Sequence, residues 1–155
     1  MKKNSIDFRL PDGIDASWRV AIVHALYYEE EVMAMVGTAK ETLIAAGIKE
    51  ENISVYSVFG SSEVPLIGAQ LARTNAVDAI IGLGIIVQGE TKHADDLSHA
   101  VARGIMDVQV KYGMPFAFGV VHVNDIAQAR ERSEKGSECA LAVLHSLAQL
   151  KRLQS

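Results

Sequence analysis

Four short runs rich in apolar and β-branched residues, spaced by longer helical stretches, constrain this chain more than any other feature. Residues 19–24 (RVAIVH), 53–58 (ISVYSV), 78–83 (DAIIGL) and 115–121 (PFAFGVV) read as strands. Residues 29–46, 63–74 and 91–112 read as the helices between them, and 124–132 and 134–152 as two more with a break near Ser133. The punctuation agrees: Gly47 and Gly113 stand where helices end, and Pro65 lies in a first turn, where a missing N–H costs nothing. Runs that are apolar nearly throughout, not alternating, are buried on both faces, and such strands joined through helices pair in parallel. Right-handed crossovers then give an α/β three-layer sandwich with helices on both faces of the sheet.

A length of 155 residues fits one domain over 1–155, with 1–17 set apart as an N-terminal arm. Ser5 to Leu10 alternates weakly, and reads either as a frayed tail or as an edge strand added to another subunit. Fifteen basic against nineteen acidic residues leave a net charge of −4, which argues against nucleic-acid binding. No apolar stretch nears the ~18 residues a membrane span needs, and residues 1–10 hold no signal-like apolar core, so a cytoplasmic protein without membrane contact is expected. Cys139 is the only cysteine, so neither an intramolecular disulfide nor a cysteine-based metal cluster can form. The mean hydropathy of +0.15 is high for a small monomer. It reads either as apolar surface shared between subunits or as an alanine- and isoleucine-rich core.

Ligands of open parallel sheets bind beyond the carboxyl ends of the strands. That rim is expected to carry Ala25 to Tyr28, Phe59 to Glu63, Gly84 to His93 and Gly119 to His122. Gly89-Glu90-Thr91 opens the long third helix, either as an anion site built from free N–H groups or as an ordinary cap on Thr91. His93 in the first turn of that helix suits proton transfer near neutral pH, or is a surface or packing residue. Asp95, Asp96 and His99 match no metal-ligand spacing, and acidic residues in a first turn are accounted for by the helix dipole. Glu63 suits hydroxyl binding or a helix start, and Tyr27 suits stacking on a planar ring or covering a sheet edge. Arg130 and Arg132 suit an anion or a solvated face. Cys139, among Ala, Leu and Val, reads as a small buried hydrophobe.

In combination these segments resemble the 6,7-dimethyl-8-ribityllumazine synthase family from about Trp18 to Leu150. VAIVHALYY is similar to its first strand and following aromatic, and VFGSSEVPL to its VPG-x-x-EIPL segment. LGIIVQGETKH is similar to LG-x-VI-x-GET-x-H, and FGVV with QARERSEKG to its phenylalanine strand and arginine helix. The resemblance implies a flavodoxin-like four-stranded parallel sheet and a riboflavin-pathway transferase. Such an enzyme condenses 5-amino-6-(D-ribitylamino)uracil with 3,4-dihydroxy-2-butanone 4-phosphate, releasing phosphate and water, and needs no cofactor or metal. It implies Tyr27 stacking on the pyrimidine, with Ile86 and Val87 in the substrate site. Glu63 would hold the ribityl chain beside Ser61 and Ser62. Gly89, Glu90 and Thr91 would hold phosphate, His93 would transfer protons, and Arg132 would pair with phosphate near Lys135. Phe118 would contact the ring as a second aromatic. It also implies a homo-oligomer, a pentamer or pentamer-based assembly, with small-molecule substrates. Each active site would lie between subunits, Arg132 and Phe118 coming from the neighbour.

Several positions depart from the family pattern. Tyr27-Tyr28 replaces Phe-Asn, Phe59 a proline, Ser62 an aromatic, Gln88 a basic residue, Ala94 an aromatic, and His122 a frequent threonine. The ring pocket is altered at several points, while the phosphate-handling residues survive. The second expectation is therefore a paralogue that binds a flavin, lumazine or related ring, or uses a changed substrate, without ordinary synthesis.

Overall fold

The third strand holds glycines where an ordinary side chain has no room, and this sets the thickness of the fold. The computed structural model describes residues 8–89 and 93–154. A Cβ on Gly82 would lie 2.8 Å from the Val64 side chain, and one on Gly84 would lie 2.5 Å from Ser61 Oγ. Both glycines let a helix layer settle close onto the sheet.

Four strands form that sheet: β1 (Val20–Ala25), β2 (Ile53–Val58), β3 (Ala79–Val87) and β4 (Phe116–Val123). Their order is β2-β1-β3-β4 and every pairing is parallel. The helices are α1 (Glu29–Ala45), α2 (Val64–Arg73), α3 (Ala94–Tyr112), α4 (Ile126–Arg130) and α5 (Lys135–Gln154). This is the flavodoxin-like three-layer arrangement. The chain moves outward from β1 to β2 and then returns across β1 to β3. The crevice where the order reverses lies at the carboxyl ends of β1 and β3, the usual ligand position in such sheets.

β3 and β4 run further than their sequence suggests. β3 continues through Gly84-Ile85-Ile86 to Val87, each paired with β4, so Gly119 to His122 also lie within a strand and not beyond one. The interrupting glycines look like turn residues, yet they mark close packing. α3 starts later than expected, at Ala94, with His93 in the cap position. Thr91, expected to cap it, lies outside the described residues, as do Glu90 and Lys92. Gly47 and Gly113 end their helices at positive φ, and Pro65 lies in the first turn of α2, all as expected.

The opposite end of the sheet is tied by Arg19 and Asp78. The Arg19 amide and Nε both donate to Asp78 Oδ2, at 2.7 and 3.3 Å, and Nη2 donates to Oδ1 at 3.2 Å. The Asp78 amide donates back to the Arg19 carbonyl at 2.7 Å. β1 and β3 therefore start in fixed register.

Each face of the sheet has its own core. Ile22, Ile81, Leu83 and Ile85 meet α1 and α5 through Met35, Leu43, Val143 and Leu144. Ala21, Val23, Ile80, Phe116 and Val120 meet α2 and α3 through Val64, Leu71, Val101 and Ile105. On the first face α1 and α5 pack almost backbone to backbone at Gly136. A polar seam accompanies the contact: the Thr38 hydroxyl donates to the Ser133 carbonyl at 2.6 Å, and the Thr42 and Ser137 hydroxyls lie 2.6 Å apart. Cys139 is buried beside it, and that burial pushes its thiol up to about 11, so it is inert packing as its apolar surroundings suggested. Residues 8–18 are irregular. Ile14 and Trp18 pack on the α1–α5 core, and His145 Nε2 lies 2.8 Å from the Arg9 carbonyl oxygen.

Candidate active site at the strand ends

Where β1, β2 and β3 end, the chain encloses a cleft of about 490 Å³. Tyr27, Ser61, Ser62, Glu63, Ile86 and Val87, six of the residues singled out from the sequence, lie in its walls. A cleft of this size, mostly apolar with a few polar groups, suits a small organic ligand.

Local backbone rules place each wall. Leu26 is tied to the end of β2 by its amide, which donates to the Val58 carbonyl at 2.9 Å. Tyr27 follows and is more than half exposed. Tyr28 then takes a left-handed conformation, φ 57° and ψ 49°, to start α1. For a bulky residue this costs roughly 1–2 kcal/mol, and such strain gathers at functional sites. After β2, Gly60 is extended and leads into a tight 3-10 turn, Ser61–Glu63, where the Glu63 amide donates to the Gly60 carbonyl at 3.1 Å. A Cβ on Gly60 would lie 3.6 Å from both the Tyr27 ring and Glu63 Oε1. The Tyr27 ring and the Glu63 carboxylate therefore flank the same glycine. Ser61 is buried against Gly84, whereas Ser62 faces solvent. Ile86 and Val87 supply the apolar back wall from the end of β3.

Next to this cleft is a shallower depression lined by Tyr28, Val87, Gln88, Gly89, Asn124, Asp125 and Ile126. Gly89 has φ 86°, which a residue with a side chain adopts only under strain, and its Cα faces open space. His93 is exposed at the start of α3, with Nδ1 3.7 Å from Asp96 Oδ2. His122 spans the same rim: Nε2 lies 2.7 Å from Gln88 Oε1, and Nδ1 lies 3.6 Å from Asp95 Oδ1. The two substituted positions Gln88 and His122 are thus partners of one another.

The two arginines that the sequence treats alike take different positions. Arg130 Nε lies 3.2 Å from Glu31 Oε1, whose side chain is nearly buried in the first turn of α1, so Arg130 fastens α4 to α1. Arg132 stands in the turn between α4 and α5, exposed, and no side-chain partner is found for it among the described residues. Lys135 opens α5 with Nζ 3.8 Å from Glu138 Oε2. Phe118 lies on β4 opposite Gly82, half-buried against the α2–α3 core. Arg132, Lys135 and Phe118 are not among the walls of their own chain's cleft. Among the described residues no three histidine, cysteine or acidic side chains gather as metal ligands do, and no helix is long and apolar enough to cross a membrane.

The family model for 6,7-dimethyl-8-ribityllumazine synthase matches residues 17–151, nearly the whole chain. The chain belongs to the 6,7-dimethyl-8-ribityllumazine synthase family. It is 34% identical over 142 residues to the 6,7-dimethyl-8-ribityllumazine synthase of Ruthia magnifica subsp. Calyptogena magnifica, across 85% of each chain. It is 31% identical over 142 residues to the protein of the same name from Leuconostoc mesenteroides subsp. mesenteroides, across 88% of this chain and 91% of that one. The cleft of this lumazine-synthase-family chain is also lined by Tyr28, Phe59, Gly60 and Ile85, which lie on the expected rim without an expected substrate role, and by Leu97, which was not expected there. Phe59 had a legible signal, an aromatic directly after a strand in a chain with only 6% aromatics. Leu97 had none, because only the packing of α3 brings it to the rim.

Proposed function

We infer that this chain is a transferase of riboflavin biosynthesis that makes 6,7-dimethyl-8-ribityllumazine from ribitylaminouracil and dihydroxybutanone phosphate. The observation that carries the reading is the Tyr27–Gly60–Glu63 constellation in the cleft at the sheet's switch point, in a chain that matches the family along nearly its whole length. The family and the relatives' names favour synthesis over a ring-binding paralogue.

Each part of the substrates has a chemical counterpart. The planar uracil stacks on Tyr27, with Ile86 and Val87 behind it. The ribityl hydroxyls bond to the Glu63 carboxylate and to Ser62. The phosphate is held at the Gly89-Glu90-Thr91 segment, where backbone N–H groups supply the donors. His93 relays protons as the amine attacks the ketone and water leaves. Joining two held molecules is mainly a matter of proximity, so modest acid–base help suffices. No strong nucleophile is required.

The active unit is a homo-oligomer, a pentamer or an assembly of pentamers. Arg132 and Phe118 of one subunit complete the cleft of the next, with Lys135 near the phosphate. Two features support this: these side chains are absent from the cleft of their own chain, and β2 is an open sheet edge carrying exposed Val55 and Tyr56. We place the enzyme in the cytoplasm as one domain, its first 17 residues forming an arm.

His93→Ala should slow lumazine formation by about 10²-fold, the low end for a proton-transfer group where positioning does most of the work. Affinity for the uracil should stay within twofold. Steady-state kinetics with both substrates measure this, and an unchanged rate would remove His93 from the reaction.

A further inference from the structure

Phe59 is the most exposed aromatic among the described residues, at 69%, although it borders an apolar cleft. Its ring stands edge-on to Tyr27, with centroids 5.6 Å apart and planes 84° apart. Tyr27 itself is 55% exposed. Gly60 joins Phe59 to the Ser61–Glu63 turn, and a Cβ there would lie 3.6 Å from both the Tyr27 ring and Glu63 Oε1. The cleft thus has two aromatic walls meeting at nearly a right angle, with a polar anchor at one end.

This corner has a definite chemical preference. A flat ligand stacked on one wall presents its edge to the other, the edge-to-face arrangement that aromatic rings favour. A single pyrimidine ring anchored through its polyol at Glu63 covers Tyr27. A fused two-ring system anchored in the same way extends further and meets both walls. We propose that Phe59 is a specificity-determining residue that makes this cleft bind fused bicyclic or tricyclic ribityl compounds more tightly than the monocyclic ribitylaminouracil. The proposal rests on the synthase reading, in which the ring lies on Tyr27. In that setting Phe59 retains the product and so slows its release.

The test is a set of binding titrations on the full-length protein with three probes: 6,7-dimethyl-8-ribityllumazine, riboflavin and ribitylaminouracil. Wild type is compared with Phe59→Ala and Phe59→Leu. Phe59→Ala should weaken the two fused-ring probes about three- to tenfold, the range that aromatic pairs supply, and the monocyclic probe less than twofold. Phe59→Leu keeps apolar area but no ring face, and should fall close to Phe59→Ala. Phe59 is exposed, so neither variant should alter folding. Equal losses for all three probes, or none, would overturn the proposal. So would a change in sedimentation with ring affinities unchanged, because Phe59 would then serve contact between subunits. A wild-type protein that binds none of the three probes would overturn the synthase reading as well. Wild-type binding and turnover with unaltered selectivity in Phe59→Ala would remove the Phe59 role alone.

Discussion

Arg132→Ala should raise the KM for dihydroxybutanone phosphate by about ten- to a hundredfold, since under the proposed assignment it deletes a charge-assisted contact worth roughly 1.5–3 kcal/mol. The KM for ribitylaminouracil should move by less than twofold. Arg130→Ala is the informative control. Its guanidinium is already engaged with the Glu31 carboxylate, so its loss should lower stability and leave both KM values near wild type. Two-substrate kinetics on the pair of variants separate the roles. Equal losses for both substrates in Arg132→Ala, or a larger phosphate effect in Arg130→Ala, would contradict the assignment.

Gly136→Ala should destabilise the protein by about 3 kcal/mol, the upper end of overpacking costs. The added Cβ would lie 1.8 Å from the Met35 carbonyl oxygen and 2.5 Å from Thr38 Oγ1. The first of these is backbone in the middle of α1 and cannot swing aside as a flexible side chain would. α1 and α5 must separate, and the Thr38–Ser133 and Thr42–Ser137 contacts stretch with them. For a chain of this size that corresponds to a fall in Tm of about 6–12 °C. Gly37→Ala, in the same helix α1, meets nothing within 4 Å and should instead stabilise by about 0.5–1 kcal/mol. Thermal unfolding at one fixed protein concentration compares them, and a Gly136→Ala protein as stable as wild type would refute the close crossing.

The parts of this protein that obey local rules could be read from its residues. β1 and β2 are short runs rich in Val and Ile, and Gly47, Pro65 and Gly113 act through backbone geometry that depends on few neighbours. Gly84 and Gly119 misled because the same residue type makes turns and close contacts. Only the Ser61 and Leu83 side chains pressed against them decide which. The expected start of α3 at Thr91 precedes the observed start at Ala94 for a related reason: a threonine followed by acidic residues looks like a helix start wherever it occurs.

The site divides along the same line. Tyr27 and Glu63 were legible because they follow the predicted ends of β1 and β2, whereas Ile86 and Val87, which lie past the expected end of the third strand at Leu83, were reached only through the family resemblance. The difference between Arg130 and Arg132 was not legible, because it depends on Glu31, almost a hundred positions away in the chain and brought close only by the packing of α1 against α4. Phe59 was visible as a departure, but its right-angle pairing with Tyr27 requires the two strand ends in space. The left-handed Tyr28 is similar, since its strain follows from the start of α1 and no neighbouring residue announces it.

The cleft holding Tyr27, Glu63, Ile86 and Val87 is proposed to make a lumazine. The most direct measurement mixes assembled wild-type protein with ribitylaminouracil and dihydroxybutanone phosphate and follows lumazine absorbance and phosphate release together. Equimolar lumazine and phosphate should form, well above the spontaneous rate. Folded, assembled protein that leaves the spontaneous rate unchanged would contradict it.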